Sequence, residues 1–185
     1  SEVEEVIRRL EELVDRLHKI NKRAIEENER LNRELHEKNR DIIRKLKELV
    51  ERLRDIKEKL SDKETLRRIL EEIKTRIEDL TRRARETNEE IKRRSDKTLK
   101  DIRKINRDIK EEIKKLVREI EERITDKETA DRARDEVRRI EKELDDSLRE
   151  LEKRVRDSKR HLDRSLEELE KVVDEIRKEL EDLAK

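Results

Sequence analysis

Leu60-Ser61-Asp62-Lys63-Glu64-Thr65 decides how this chain folds, because it occurs almost twice. Its near copy, Ile124-Thr125-Asp126-Lys127-Glu128-Thr129, begins 64 residues later. Each stretch starts with the last aliphatic residue of an apolar stripe and continues with residues that open helices. Ser61 with Glu64, and Thr125 with Glu128, fit the capping box, in which a hydroxyl and a carboxylate satisfy each other's orphan backbone N–H groups. Asp62 and Asp126 are equally good N-caps, and their charge suits the positive end of a helix dipole. A polar stretch inside one long helix is the competing reading. The recurrence of the motif, with the stripe restarting after each copy, favours a break. The joints therefore divide the 185 residues into helix 1 at about 2–60, helix 2 at about 62–124 and helix 3 at about 126–184.

Apolar residues repeat along each segment in steps of three and four. Helix 1 carries Val3, Val6, Leu10, Leu13, Leu17, Ile20 and Ala24, then Leu31, Leu35, Ile42, Leu46, Leu49, Leu53, Ile56 and Leu60. Helix 2 continues the pattern through Ile77, Leu80 and Ala84, and helix 3 from Val137 to Leu183. Such spacing puts every member on one helical face. Three helices of about 60 residues, each roughly 90 Å long at 1.5 Å per residue, are joined here by tight loops that make neighbours antiparallel. The expected fold is all-α: a single, long, antiparallel, coiled-coil-like three-helix bundle over residues 1–185.

Composition agrees with that reading. Gly, Pro, Cys, Met, Phe, Tyr and Trp are all missing, and 59% of residues are Asp, Glu, Lys or Arg. Without Gly or Pro the chain has no ready residue for left-handed turns or kinks. High charge with few apolar residues can signal disorder, but 55 basic residues nearly balance 54 acidic ones, and the apolar residues are periodic. Their 29% share is close to the two positions in seven that a narrow seam requires. No run of about 18 apolar residues is present to span a membrane. The opening Ser1-Glu2-Val3-Glu4-Glu5 is acidic and polar, unlike a signal peptide. The missing initiator Met is expected from a removed tag. A soluble protein made by recombinant cytoplasmic expression, with no natural compartment, is the expectation.

The sharpest local signal lies at mid-helix, where polar residues replace apolar ones on the stripes. Helix 1 offers Asn21, Asn28, Asn32, His36 and Asn39; helix 2 offers Asn88, Ser95, Thr98 and Asn106; helix 3 offers Ser147, Ser158, His161 and Ser165. Folding the hairpins at the two joints sets three levels. The first holds Asn21, Asn106 and Ser147. The second holds Asn28, Asn32, Ser95, Thr98 and Ser158. The third holds His36, Asn39, Asn88, His161 and Ser165. A buried polar group without a partner costs about 1–3 kcal/mol, so a dozen in one core are expected to bond to one another. Asn and His carry donors and acceptors and can bridge helices. Such networks fix register and partner choice at some cost in stability. The competing reading has these residues flanking the seam and facing water.

A second apolar position stands beside the seam: Ile7, Val14, Ile25, Ile43 and Val50 in helix 1, Leu70, Leu99, Ile105 and Val117 in helix 2, and Leu148, Leu166 and Val172 in helix 3. A wider face suits a globular bundle. It also suits a fourth helix or a second copy of the chain.

Little other chemistry is available. The histidines are His18, His36 and His161, too few for a zinc site of three or four convergent ligands, so no metal or cofactor is expected. Protonating a core histidine that accepts a hydrogen bond would break that bond near pH 5–6, a modest effect with two of them. Ser158 and His161 lie one turn apart, but nothing implies a cleft or an oxyanion hole, so no enzyme activity or small-molecule substrate is expected. Helix 2 has a basic stretch from Lys92 to Lys110, but Asp96, Asp101 and Asp108 interrupt it and no aromatic can stack on a base. That argues against nucleic acid as a partner. Helix 2 carries an excess of basic residues and helix 3 an excess of acidic ones, which favours their pairing with each other.

The joint Leu60-Ser61-Asp62-Lys63-Glu64-Thr65-Leu66-Arg67, the residue alphabet and the core pattern together resemble de novo designed helical bundles with buried hydrogen-bond networks. Those include latching cage-and-key switches and designed helical heterodimers. Their turns favour Leu-Thr-Asp-Pro, and Lys63 and Lys127 stand here where Pro often sits. The resemblance implies a thermostable structural scaffold or helix-association module, with itself or a designed partner helix as a possible partner. It carries no family-specific binding residue. A component that homo-oligomerises, or that takes up a separate helix to complete a four-helix bundle, is the alternative. A natural spectrin-like repeat or coiled-coil protein is the second, against which the lack of core aromatics counts.

Overall fold

Glu, Lys, Arg, Leu and Ile are good or tolerable helix formers, and nothing in this chain breaks a helix once it has started. The result, in a computed structural model that describes residues 2–185, is three long helices. They are α1 (Glu2–Lys59), α2 (Lys63–Arg123) and α3 (Lys127–Ala184). The chain is an all-α three-helix bundle. Ser1 and the side chains of Glu2, Val3 and Val6 lie outside the described residues, so the first two seam positions of helix 1 are not placed.

Residues 60–62 and 124–126 link the helices. No described residue has positive φ, so both links turn without the conformation that favours glycine. Leu60 N–H still bonds to the Ile56 carbonyl at 2.8 Å, and Leu66 N–H picks up the Asp62 carbonyl at 3.3 Å. The second joint repeats both bonds at Ile124 and Ala130.

The caps decide between the two N-cap readings of each joint. Asp62 is the N-cap: its Oδ1 accepts the Glu64 N–H at 3.0 Å and its Oδ2 accepts the Thr65 hydroxyl at 2.7 Å. Asp126 does the same with Glu128 N–H at 3.2 Å and Thr129 at 2.8 Å. Ser61 and Thr125 stand two residues before the helices, one beyond the caps, and are exposed, so they cap nothing. Glu64 and Glu128 contribute their backbone N–H, while Thr65 and Thr129 supply the side chain that answers the cap. A carboxylate one residue nearer the helix reaches the orphan N–H groups first. The Thr65 hydroxyl, then the Glu64 N–H, hold the Asp62 carboxyl below its usual range, and Thr129 and Glu128 do the same for Asp126.

Two compact units make up the fold, each containing a section of all three helices. Unit 1 comprises Ser1–Glu29 and Arg94–Asp157, and unit 2 comprises Arg30–Arg93 and Ser158–Lys185. In unit 1 a large apolar cluster gathers Leu10, Leu17, Ile113, Ile140 and Leu144 near the α2–α3 joint, and a smaller one joins Leu99, Ile102, Leu151 and Val155. In unit 2 the large cluster gathers Leu53, Ile77, Leu169 and Val173 near the α1–α2 joint, and Leu35, Ile91 and Leu162 form the smaller one.

Ion pairs record the register inside each unit. In unit 2, Arg85 pairs with Glu170 at 2.6 Å and Lys92 with Asp163. The pairs are seven residues apart along α2 and seven apart, in reverse, along α3. In unit 1, Arg103 pairs with Glu152 at 3.0 Å, Lys110 with Asp145, and Arg134 with Glu121 at 2.8 Å. Their steps of seven and then eleven residues also match in reverse, as antiparallel helices require. Arg54–Glu179 in unit 2 and Arg154–Glu29 in unit 1 link α1 to α3, which run parallel.

The second apolar stripe is consumed by the same cores. Val14, Val50, Leu70 and Leu99 are buried, and Ile25, Ile43, Ile105, Val117, Leu148, Leu166 and Val172 are half-buried against the clusters. Among the described large hydrophobic residues, Ile56 and Leu80 are exposed, each at 37%.

Candidate functional site

Most of the polar residues on the stripes fall between the two apolar clusters of their own unit. In unit 1, Asn21 separates the two clusters. Its Nδ2 donates to Ser147 Oγ at 2.9 Å, joining α1 to α3. Asn106, expected at the same level, turns back on its own helix and donates to the Ile102 carbonyl at 2.8 Å. It therefore belongs to no cross-helix bond. Beyond the smaller cluster, Ser95 donates to Asn28 Oδ1 at 2.6 Å and joins α2 to α1.

In unit 2 the hub is Ser165. Its Oγ accepts a hydrogen bond from Asn39 Nδ2 at 3.1 Å and lies 3.1 Å from His36 Nδ1. One buried hydroxyl thus holds two side chains of α1 against α3. Asn88 donates from α2 to the Leu162 carbonyl of α3 at 3.2 Å. The His36 and His161 rings meet with centroids 5.0 Å apart and planes tilted by 47°.

Several expected members do not join. Thr98 is exposed, because Leu99 takes the inward position beside it. Both fit a helical step from Ser95, three and four residues back, and the larger apolar side chain gains more by burial. His161 is exposed for the same reason, with Leu162 buried next to it. Ser158 is half-buried and makes no hydrogen bond among the described residues. Asn32 is buried, at 5% exposure, yet neither its Oδ1 nor its Nδ2 has a partner. The three-level scheme thus gives way to separate pairs and a triad. Carbonyl groups of the helices themselves compete for the amides, as at Asn88 and Asn106.

One buried polar residue escaped the sequence reading. Thr81 is buried and donates to the Ile77 carbonyl at 2.8 Å, while Leu80 beside it is exposed. Its step of four from Ile77 and three to Ala84 was a signal, but Leu80 satisfied the same spacing with an apolar side chain.

Among the described residues no group of three or more His, Cys, Asp or Glu side chains is placed to hold a metal ion. Two shallow grooves flank the cores. The one in unit 2 runs beside Val50, Val172 and Ile176, and the one in unit 1 beside Val117 and Val137. Both are rimmed by long charged side chains such as Arg54 and Glu179, or Arg118 and Arg138. No helix among the described residues is long and apolar enough to cross a membrane.

No family model matches the chain, and no curated protein matches it. Among solved structures, a computationally designed three-helix bundle is similar over 99% of this chain and 86% of that one, at 16% sequence identity and a TM-score of 0.47.

Proposed function

We propose that this chain is a designed, non-catalytic scaffold: a self-contained helix-pairing module whose buried polar residues select which helix faces meet. The observation that carries this reading is the use of both apolar stripes within the units' own cores, which leaves only Ile56 and Leu80 exposed among the described large hydrophobic residues. A surface this charged offers little apolar area to a fourth helix. The hydrogen bonds Asn28–Ser95, Asn21–Ser147 and Asn39–Ser165 each connect different helices, which is what a register-setting polar residue must do. The near-duplicated joint and the narrow residue alphabet support deliberate design. The long apolar seams lead us to expect melting above about 60 °C, near the top of the ordinary mesophile range.

Light scattering coupled to size exclusion tests the reading. A mass near 22.8 kDa is expected. A dimer or larger species at micromolar concentration would replace it with the second reading, a component that associates through the faces around Ile56 and Leu80.

A further inference from the structure

We infer that Asn32 on α1 and Ser158 on α3 hydrogen-bond to each other, so that three Asn–Ser pairs of unequal spacing set the register of α1 against α3. Their role rests on the helix-pairing reading above and supplies the residues that do the selecting.

Two such pairs are formed. Asn21 donates to Ser147 at 2.9 Å in unit 1 and Asn39 to Ser165 at 3.1 Å in unit 2, and in both the partners stand 126 residues apart. Asn32 and Ser158 share that separation and lie together in unit 2. They come one heptad before Asn39 and Ser165, on helices that run parallel. Seven residues are close to two full turns, so this step rotates each side chain by only about 20° about its helix. Asn32 therefore faces Ser158 nearly as Asn39 faces Ser165. Burial agrees. Asn32 is 5% exposed, with Oδ1 and Nδ2 both lacking partners. Ser158 is half-buried and makes no hydrogen bond among the described residues. The terminal torsion of an Asn side chain has broad wells, so the Asn32 amide turns at little cost and Nδ2 donates to Ser158 Oγ, as in the other two pairs.

One bond answers one of the two stranded amide atoms. The other stays unpaired, so replacing Asn32 by an apolar residue still stabilises the chain while erasing the contact. The use of the pair lies in its spacing. From Asn21 the three asparagines step by eleven and then seven residues along α1, and from Ser147 the three serines do the same along α3. Asn28 is engaged separately by Ser95 of α2. Sliding α3 by one heptad keeps an apolar seam in phase but aligns a single one of these pairs, Asn32 with Ser165 or Asn39 with Ser158. A bare heptad seam has no such preference, and buried polar residues are the means by which it acquires one.

A double-mutant cycle on the full chain, read as urea midpoints, tests the pair. Ser158→Ala should lower the midpoint of the parent relative to its effect in the Asn32→Leu background, where no partner is left to lose. In an isotope-labelled chain the side-chain NH2 signals of Asn32 should move in Ser158→Ala and return toward the parent position in Ser158→Thr, which keeps the hydroxyl. Ser147→Ala should leave those signals in place. Equal midpoint shifts in the two backgrounds, or Asn32 signals indifferent to Ser158→Ala, overturn the pair. Light scattering on the same samples separates this outcome from the association reading. A larger species with the coupling intact sinks that reading alone, and a chain of 22.8 kDa without the coupling sinks the pair alone.

Discussion

Ser95 on α2 donates its hydroxyl hydrogen to Asn28 Oδ1 on α1 at 2.6 Å, and both residues are buried. The bond ties two antiparallel helices at one height, and it satisfies an amide oxygen that would otherwise be stranded. Ser95→Ala should destabilise the chain by about 1–3 kcal/mol, because it leaves that oxygen buried without a donor. The double variant Ser95→Ala/Asn28→Leu removes both partners and should recover most of the loss. Urea denaturation of the two single variants and the double variant measures the coupling.

Asn32 presents the opposite case. Both polar atoms of its amide are buried and unpartnered. Asn32→Leu should therefore raise stability by about 1–3 kcal/mol. Asn39→Leu should gain less, since it also takes a donor from Ser165. Equal shifts in the urea midpoints of the two variants would contradict this assignment.

The caps predict an acid response. Asp62 and Asp126 have carboxyls held below the usual range by Thr65 and Thr129 and by the N–H groups of Glu64 and Glu128. A carboxyl with a lowered folded-state pKa contributes stability above its unfolded value, and the contribution fades as pH falls through the folded value. Both caps should weaken below about pH 4. Asp62→Ala and Asp126→Ala should each lower the melting temperature at pH 7 and flatten this acid dependence, while Ser61→Ala leaves both unchanged. Thermal melts from pH 7 to pH 2.5 would show it.

Lys92 and Asp163 form a test of register. The bond to Asp163 raises the Lys92 pKa despite partial burial, which opposes it. The contribution is therefore present at neutral pH and lost as pH rises through the folded value. Reversing one charge, as in Asp163→Lys, should cost about 0.2–1 kcal/mol, and the exchanged pair Lys92→Asp/Asp163→Lys should restore most of it. A double-mutant cycle at low and high salt reads the interaction and its screening.

Leu80 separates a surface from a core. At 37% exposure, Leu80→Glu should change stability by no more than about 0.5 kcal/mol. Leu17→Ala, in a fully buried position, should cost about 2–5 kcal/mol. If Leu80→Glu instead lowers the molecular mass seen by light scattering, the chain associates through that face.

The polar clusters were legible in part. Asn21, Asn28, Asn39 and Asn88 were marked by spacing alone, because an amide on an apolar stripe has nowhere to go but inward. Thr98, Leu80 and His161 were misjudged at places where the helical period falls between two neighbouring residues. There the stripe cannot say whether Thr98 or Leu99, Leu80 or Thr81, His161 or Leu162 turns inward. The sequence marks Asp62 and Asp126 as N-caps, but the capping-box spacing points to Glu64 and Glu128 as their answering side chains, where the structure uses Thr65 and Thr129.

By itself the sequence determined the three helices, the position of both joints and the faces that become core. These follow from forces that act within about four residues: helix propensity, capping and the 3.6-residue period. Only the tertiary structure decided which of two adjacent residues fills the core and which partner each buried amide finds. Volume left by Leu99 or Leu162, the second lone pair of the Leu162 carbonyl, and a shared hydroxyl at Ser165 settle those choices. Cross-helix contacts such as Ser165 with Asn39 exist only once segments far apart in the chain have been packed together.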